Sequence, residues 1–171
     1  MSTLDDLKNR RSIRKFKPEQ VSEELLQKVL EAGLYAPSAR GTQYPIMVVL
    51  QDRDLINTVR DMNASFTGSK NNTFFDAPTV IIVFAPGDWK NWIQDGSLVM
   101  GNLLNAAHAV GLGACWVNRA IEVFDTDEGK ALMKQWGVPD NYRGVGNCVL
   151  GYPDASPEAA PRKEGRIIRV K

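Results

Sequence analysis

Basic side chains cluster near the start of the chain. Residues 10–15 read Arg-Arg-Ser-Ile-Arg-Lys. In an extended segment alternate side chains lie on one face, so Arg10, Ser12 and Arg14 are expected to point the same way. Two guanidinium groups with a hydroxyl between them suit a phosphate, because arginine offers paired donors that match the phosphate oxygens. The alternative interpretation is a solvated basic stretch that follows a helix, since most short charge runs lie at the surface.

A second basic pair, Arg162 and Lys163, lies in a tail that begins near Pro153 and contains three prolines. Such a tail does not pack on its own, so we expect it to lie across another part of the assembly. The pair contributes to an anion site only if the tail folds back toward Arg10. The alternative interpretation is a solubilising tail.

Two further segments have the composition of binding loops. Residues 111–119 read Gly-Leu-Gly-Ala-Cys-Trp-Val-Asn-Arg and join an apolar helix to a strand. Their small residues let the backbone approach a ligand closely, although a helix stop followed by a core strand gives the same pattern. Residues 36–43 form a long polar turn, and such turns carry function in some proteins and are plain connections in others.

Other chemistries lack their motifs. The sequence contains no Walker loop and no G-x-S-x-G, and its Gly144-Val145-Gly146 lacks the third glycine of a dinucleotide fingerprint. The only histidine, His108, falls in an apolar helix, and we interpret it as a core residue. Cys115 and Cys148 have neither the number nor the spacing of a disulfide framework or a zinc site. We therefore predict no metal site.

The length, net charge and hydropathy of the chain limit the classes of binding partner. The chain has 171 residues, which suits one domain, and its net charge of +1 gives no field that would attract nucleic acid or an anionic membrane. No apolar run approaches the roughly 20 residues that cross a bilayer. Residues 1–14 are polar and lack the apolar centre of a signal peptide. We expect a cytoplasmic protein with no membrane or nucleic-acid partner.

The hydrophobic periodicity predicts the order α-α-β-α-β-α-β-α-β. Ser2 or Thr3, Ser22, Asp52 and Asp125 are the expected helix caps, and a loop is expected over residues 63–73. The predicted helices cover residues 3–9, 23–36, 53–62, 89–110 and 126–137. The predicted strands are residues 46–50 and 79–84, both expected to be buried, and residues 114–117 and 145–150, with a further strand-like stretch at 166–170. The helix over 89–110 is apolar on most sides and is expected to be central.

Taken together, these segments resemble the FMN-dependent nitroreductase family in its short single-domain form. The resemblance runs over nearly the whole chain and depends on six motifs in order. They are residues 10–14, Ala36-Pro37-Ser38 with Gln43, Asp76-Ala77-Pro78, residues 106–116, Gly151-Tyr152-Pro153 and Pro161-Arg162-Lys163. It implies one α+β domain over residues 1–171, with a mostly antiparallel sheet flanked by helices. It also implies an intertwined homodimer that exchanges a C-terminal arm, residues 154–171.

The resemblance further implies two FMN molecules at the subunit interface and a role for each matched residue. Arg10, Arg11 and Ser12 would contact the phosphate and ribityl chain, and Arg14 would be the cation beside flavin N1 and O2. The remaining contacts would come from the partner's Pro37, Ser38 and Ala39, from Gln43, from Trp116, Val117 and Asn118 along the ring, and from Arg162 and Lys163 at the phosphate. A backbone N–H near Asn118 would face N5. No acid, base or nucleophile is assigned.

The implied reaction carries hydride from NAD(P)H through FMN to a nitroaromatic, quinone or similar acceptor, by a ping-pong mechanism in one shared cleft. Two alternatives stay open: a flavin-dependent oxidase or dehalogenating enzyme of the same fold, and a non-catalytic flavin-binding protein. The chain departs from the family pattern at Arg40-Gly41, where many members have Asn, and at Tyr44-Pro45. In the loop that usually contacts the flavin or substrate, the candidates are Lys70, Asn71 and Asn72.

Overall fold

The computed structural model describes residues 2–68 and 72–170. Helix α1, Thr3–Asn9, begins at a capping box in which Ser2 and Asp5 each accept a hydrogen bond from the other's backbone N–H. The chain then runs extended, as predicted. The Ile13 N–H donates to the Ala114 carbonyl at 3.0 Å, and the Lys17 N–H donates to the Tyr152 carbonyl at 2.9 Å.

Helix α2, Glu23–Leu34, begins at Ser22, whose hydroxyl accepts from the Leu25 N–H. Leu26 and Val29 are buried, as the periodicity predicts. The predicted end of this helix was wrong, because α2 stops two residues before Ala36 and Leu34 is 65% exposed. The apolar pattern extends to Leu34, but the rest of the chain does not cover this end of the helix.

Four antiparallel strands form the sheet in the order β1-β2-β4-β3. They are β1, Ile46–Leu50; β2, Thr79–Pro86; β3, Gly113–Val117; and β4, Tyr142–Gly151. The predicted α+β class and antiparallel sheet are confirmed. The burial predicted for the first strand is wrong, because β1 is an edge strand and only Leu50 is fully buried. Ser12 adds a parallel bridge to Ala114 beyond β3.

The remaining helices are α3, Arg53–Ser65; α4, Trp92–Ala109; α5, Ala120–Phe124; and α6, Asp127–Gln135. Asp52 caps α3, as predicted. The predicted loop over residues 63–73 begins too early, since α3 continues to Ser65 and buries Asn63 completely. Among the described helices none is both long and apolar enough to cross a membrane.

The helix predicted after Asp125 is α6, and a short helix that was not predicted, α5, comes directly before it. Asp125 ends α5, and the hydroxyl of Thr126 caps α6 by accepting from the Gly129 N–H at 3.0 Å. A Cβ at Gly129 would lie 2.1 Å from the Val123 carbonyl oxygen. The close approach of the two helices therefore selects Thr126 as the cap, and Asp125 instead pairs with Arg143.

The core consists of two apolar clusters, one on each face of the sheet. On β2, Ile81 and Val83 belong to the cluster covered by α2 and α4, and Val80, Ile82 and Phe84 belong to the cluster covered by α3 and α5. A strand buried on both faces reads as a continuous apolar run, as β2 does. Helix α4 buries only one face, however, since Ile93 and Leu98 are each 45% exposed.

The tail is anchored only at its start. Phe16 bridges Pro153, and the Asp154 N–H donates to the Lys15 carbonyl at 2.9 Å. From Ala155 to Val170 the residues are exposed and form no helix or strand. The strand expected at 166–170 is therefore not formed within one chain, because no described strand lies beside it to pair with its backbone. The exchange of this arm between subunits stays a prediction.

Candidate active site

A cleft of about 640 Å³ opens beside residues 10–14, which we call the basic segment. Its walls come from the end of α1, the second half of α4, the start of β3 and the start of the tail. Arg10, Arg11 and His108 line it, together with Asp154 and Pro157. The structure thus brings two members of the first predicted basic cluster, Arg10 and Arg11, to the root of the tail, residues 153–157.

Two buried nitrogen atoms in this cleft have no hydrogen-bond partner within the described residues. They are Arg10 Nη1 and His108 Nε2. Buried polar atoms are almost always paired in native proteins, because an unpaired one loses its hydration without compensation. Anionic oxygens would satisfy the Arg10 donor directly, so the cleft fits a phosphate. The prediction that His108 is a core residue is wrong, because its side chain is half-buried and lines the cleft.

Arg11 has a structural task as well as a place in the cleft. Its Nη1 donates to the Lys8 carbonyl at 2.7 Å and to the Arg10 carbonyl at 2.8 Å. Carbonyls at the end of a helix lack intrahelical donors, and a guanidinium supplies them. Arg11 therefore fixes the path of the chain as it leaves α1 and enters the basic segment.

Close packing holds the basic segment against β3. Ile13 is 8% exposed, and a Cβ at Gly113 would lie 2.9 Å from its Cβ. Ser12 pairs with Ala114 and so shares its face of the sheet, while Arg14 is exposed. Ile13 lines the cleft together with Arg10, whereas Ser12 and Arg14 are not among its lining residues. The common face predicted for Arg10, Ser12 and Arg14 therefore stays a prediction.

Buried amides hold residues 117–119, which we call the β3 exit. The Nδ2 of Asn147 donates to the Val117 carbonyl at 3.2 Å, and the Nδ2 of Asn63 donates to the Asn118 carbonyl at 2.6 Å. Both asparagines are fully buried. Sequence reasoning missed them. The available signal was a polar residue on an otherwise apolar face, at Asn147 in β4 and at Asn63 four residues after Val59 in α3.

The ring of Trp116 lies on the backbone of β4 just before the β3 exit. A Cβ at Gly146 would come within 2.8 Å of Trp116 Cε2, so glycine is needed there. Cys148 lies opposite Trp116 on the neighbouring strand β4 and is fully buried. Burial and the neighbouring Cys115 raise the pKa of the Cys148 thiol to about 12, and Arg10 acts in the opposite direction. The thiol is therefore neutral, and Arg10 carries its charge toward the sheet.

The polar turn over residues 36–43 is held by a buried carboxylate. Asp95 is 3% exposed, and its two oxygens accept from the Ala39 N–H and from Trp89 Nε1, both at 2.9 Å. The Ser38 hydroxyl accepts from the Gln43 N–H at 2.9 Å. Arg40 has a φ of 59°, a left-handed conformation that disfavours a residue with a side chain. The sequence did not single out Asp95, the residue that orders this turn.

Within one chain the predicted site residues fall into separate groups. Pro37, Ser38 and Gln43 line a different cavity, of about 160 Å³, with Asp95. Arg162 and Lys163 are exposed and are not among the residues that line the cleft beside Arg10. The predicted second subunit would bring these groups together, and that assembly stays a prediction.

Of the three candidates in the loop over residues 63–73, the structure describes one. Lys70 and Asn71 lie outside the described residues. Asn72 closes a turn: its Nδ2 donates to Asp76 Oδ1 at 2.6 Å and its Oδ1 accepts from the Phe74 N–H at 3.0 Å. The side chain of Asn72 is therefore engaged within its own loop.

The sequence profile described as "Nitroreductase family" matches residues 7–152. The chain belongs to the nitroreductase family. It is 32% identical over 161 residues to a protein of Methanothermobacter thermautotrophicus with the provisional name NADH dehydrogenase/NAD(P)H nitroreductase, covering 92% of this chain and 80% of that one. It is also 27% identical to the NADPH-flavin oxidoreductase of Vibrio harveyi, over 98% of this chain and 72% of that protein.

Solved structures of the nitroreductase family share the fold. The crystal structure of a nitroreductase with bound FMN from Bacteroides fragilis superposes with a TM-score of 0.91 and 25% identity. The match covers 100% of both chains. This chain therefore has the same fold as that structure over its whole length.

Proposed function

We propose that this nitroreductase-family protein is an FMN-dependent oxidoreductase that uses NAD(P)H as electron donor. The buried, unpartnered Nη1 of Arg10 in the cleft beside the basic segment carries the proposal. Support also comes from the names of the similar proteins, one of them an NADPH-flavin oxidoreductase and one a nitroreductase with bound FMN.

The basic segment is the proposed phosphate site. Arg10 and Arg11 supply guanidinium donors and Ser12 supplies a hydroxyl, and charged donors of this kind make the stronger hydrogen bonds to phosphate. Arg162 and Lys163 add positive charge when the tail of one subunit closes on the other. These local positive charges are needed to attract the phosphate, because the net charge of the chain is only +1.

The remaining contacts are proposed for the flavin ring. Arg14 is exposed and follows Ser12, which bridges Ala114 in β3. We propose that Arg14 and Trp116 both contact the ring. Val117 and Asn118 continue along the ring. The partner subunit contributes its Pro37, Ser38, Ala39 and Gln43, which explains why these residues lie apart from the cleft in one chain.

When bound, FMN supplies a hydride acceptor that becomes a hydride donor. The chain contributes charge and position. The positive charge of Arg14 would favour the electron-rich reduced ring. Because the sequence contains no dinucleotide fingerprint, the nicotinamide donor and the acceptor use the same open cleft in turn. This ordering is a ping-pong mechanism, with nitroaromatics, quinones or similar compounds as acceptors.

Titration of the purified protein with FMN tests the cofactor site. The wild type is expected to be yellow or to bind FMN stoichiometrically. Arg10→Ala is expected to weaken FMN binding by about 10- to 100-fold, the effect of losing one charged hydrogen bond. Arg60→Ala on α3 removes the same charge from a side chain that pairs with Asp61 and should leave FMN affinity unchanged. A wild type that binds no FMN contradicts the proposal.

Anaerobic mixing of the flavin-loaded protein with NADH or NADPH tests the reaction. Bleaching of the flavin, followed by reoxidation with a nitroaromatic or a quinone, is expected. Steady-state data should give parallel double-reciprocal lines. If neither nucleotide reduces bound FMN, the chain is instead an oxidase or dehalogenating enzyme, or a flavin-binding protein without this activity.

A further inference from the structure

Asn63 and Asn147 converge on one stretch of backbone from two different elements, α3 and β4. They hold the carbonyls of Asn118 and Val117, at 2.6 Å and 3.2 Å. In an asparagine side chain the nitrogen donates hydrogen bonds and the oxygen only accepts them. A bond to a carbonyl therefore fixes the orientation of each side-chain amide. Two consecutive peptide groups of the β3 exit are therefore clamped from the protein interior.

The direction of a carbonyl fixes the direction of an N–H. In a trans peptide the N–H points opposite to the C=O of the same peptide group, and no cis peptide is found in the described residues. With the Val117 carbonyl turned to Asn147, the Asn118 N–H points away from the core. With the Asn118 carbonyl turned to Asn63, the Arg119 N–H does the same. Asn118 and Arg119 are both exposed, so these donors face the open side.

Each of the two asparagines gains one hydrogen bond to the backbone and leaves one buried oxygen unpaired among the described residues. The Oδ1 atoms of Asn63 and Asn147 are buried and have no partner in the part of the chain that the structure describes. A buried polar atom without a partner is destabilising, because its lost hydration is not replaced. Leucine at either position would be close in size and would avoid that cost, but the Asn118 or Val117 carbonyl would lose its donor. The benefit of the amides therefore lies in the backbone geometry that they impose.

We propose that Asn63 and Asn147 are positioning residues that aim the N–H groups of Asn118 and Arg119 at the N5 edge of the bound flavin. This inference rests on the proposed function. Hydrogen-bond donors that are held in place need not reorient when the flavin ring is reduced. They therefore stabilise the reduced ring more than mobile donors do. The two amides act through the backbone and touch neither flavin nor substrate.

Asn63→Leu and Asn147→Leu test the proposal in the flavin-loaded dimer. FMN affinity is expected to stay within about threefold of the wild type, because the basic segment is unchanged. The preference for reduced over oxidised FMN should fall about tenfold, which lowers the two-electron potential by about 30 mV. Hydride transfer from NAD(P)H should slow by about tenfold. Both variants must move the potential in the same direction.

Asn102→Leu is the matched control. Asn102 makes the same kind of bond, from its Nδ2 to the Ala32 carbonyl at 2.8 Å, but it joins α4 to α2. Its loss should leave the flavin potential unchanged. If all three variants shift the potential equally, or if the Asn63 and Asn147 variants leave it unchanged while FMN still binds, the inference is overturned and the proposed function survives.

A measurement on the unaltered protein covers the case in which a variant does not fold. Adding FMN to the isotope-labelled wild type should shift the amide resonances of Asn118 and Arg119 and slow their hydrogen exchange. Amides that do not respond while FMN binds overturn the inference alone. A wild type that binds no FMN overturns both the inference and the proposed function.

Discussion

The basic segment and the β3 exit are two sets of hydrogen-bond donors built in opposite ways. In the basic segment the donors are charged side chains, and the backbone only carries them. At the β3 exit the donors are main-chain N–H groups, and the side chains that matter, Asn63 and Asn147, point into the core. The first kind of site can be recognised from residue types at adjacent positions. The second kind is made by residues 55 and 30 positions away from the backbone that they hold.

The turn over residues 36–43 follows the second design. A buried carboxylate, Asp95, orders it from 56 residues away through the Ala39 N–H. This similarity indicates that buried polar residues fix two loops of this protein from a distance, whereas the positive charges of the basic segment come from adjacent residues. The following changes separate the two designs, in order of decreasing effect.

Gly113→Val is expected to have the largest effect, because it removes the docking surface of the basic segment. The new side chain would collide with Ile13, and overpacking of this kind costs about 1–3 kcal/mol. FMN affinity should fall by more than about 100-fold as Arg10 and Ser12 move together. Thermal unfolding and FMN titration measure the two losses.

Gly101→Ala is the control for that substitution. Gly101 lies inside α4 and a Cβ there would meet nothing within 4 Å, so alanine should stabilise the helix by about 0.5–1 kcal/mol. A Gly113→Val protein that holds FMN as the wild type does would show that the close packing of Ile13 does not position the basic segment.

Asp95→Ala is expected to have an intermediate effect. It leaves the Ala39 N–H and Trp89 Nε1 without their acceptor, and hydrogen bonds to a charged group contribute about 1.5–3 kcal/mol. Asp95→Asn keeps one acceptor oxygen and should recover part of the loss in urea unfolding. Equal losses for the two variants would show that the charge, and not the hydrogen bond to the turn, is what Asp95 contributes.

The pH dependence of the free energy of unfolding is expected to show the smallest effect. It probes the region between the basic segment and the β3 exit. The Cys148 thiol ionises near pH 9.0 when unfolded, whereas its pKa in the folded chain is about 12 because of burial. The folded state therefore binds the proton more tightly, and the free energy of unfolding falls as pH rises through this window. The slope approaches about 1.4 kcal/mol per pH unit for one such group.

Comparison with Cys148→Ala isolates that contribution. The difference in stability between the wild type and Cys148→Ala should shrink as pH rises from 9 toward 12. Because the Arg10 charge lowers the thiol pKa, Arg10→Ala should move the wild-type transition to slightly higher pH. Parallel stability curves for the wild type and Cys148→Ala would contradict the burial of a neutral thiol beside Arg10.

Local signals predicted most of the elements. Ser2, Ser22 and Asp52 cap their helices as expected, since capping depends on residues within one turn. The prediction failed where a distant part of the chain decides the outcome. Thr126 replaces Asp125 as a cap because α5 presses on Gly129, and β1 is only partly covered because it lies at the edge of the sheet.

By itself, the sequence determined most of the helices and strands, the cluster of Arg10, Arg11 and Ser12, and the family motifs whose resemblance implied the α+β class. These features depend on periodicity and on residues that are neighbours in the chain. Only the tertiary structure decided that Arg10 has a buried donor without a partner, that His108 shares its cleft, and that Asn63, Asn147 and Asp95 hold the surrounding backbone. The physical reason is that a buried polar side chain takes its role from the group that folding places against it, and sequence separation does not record that group.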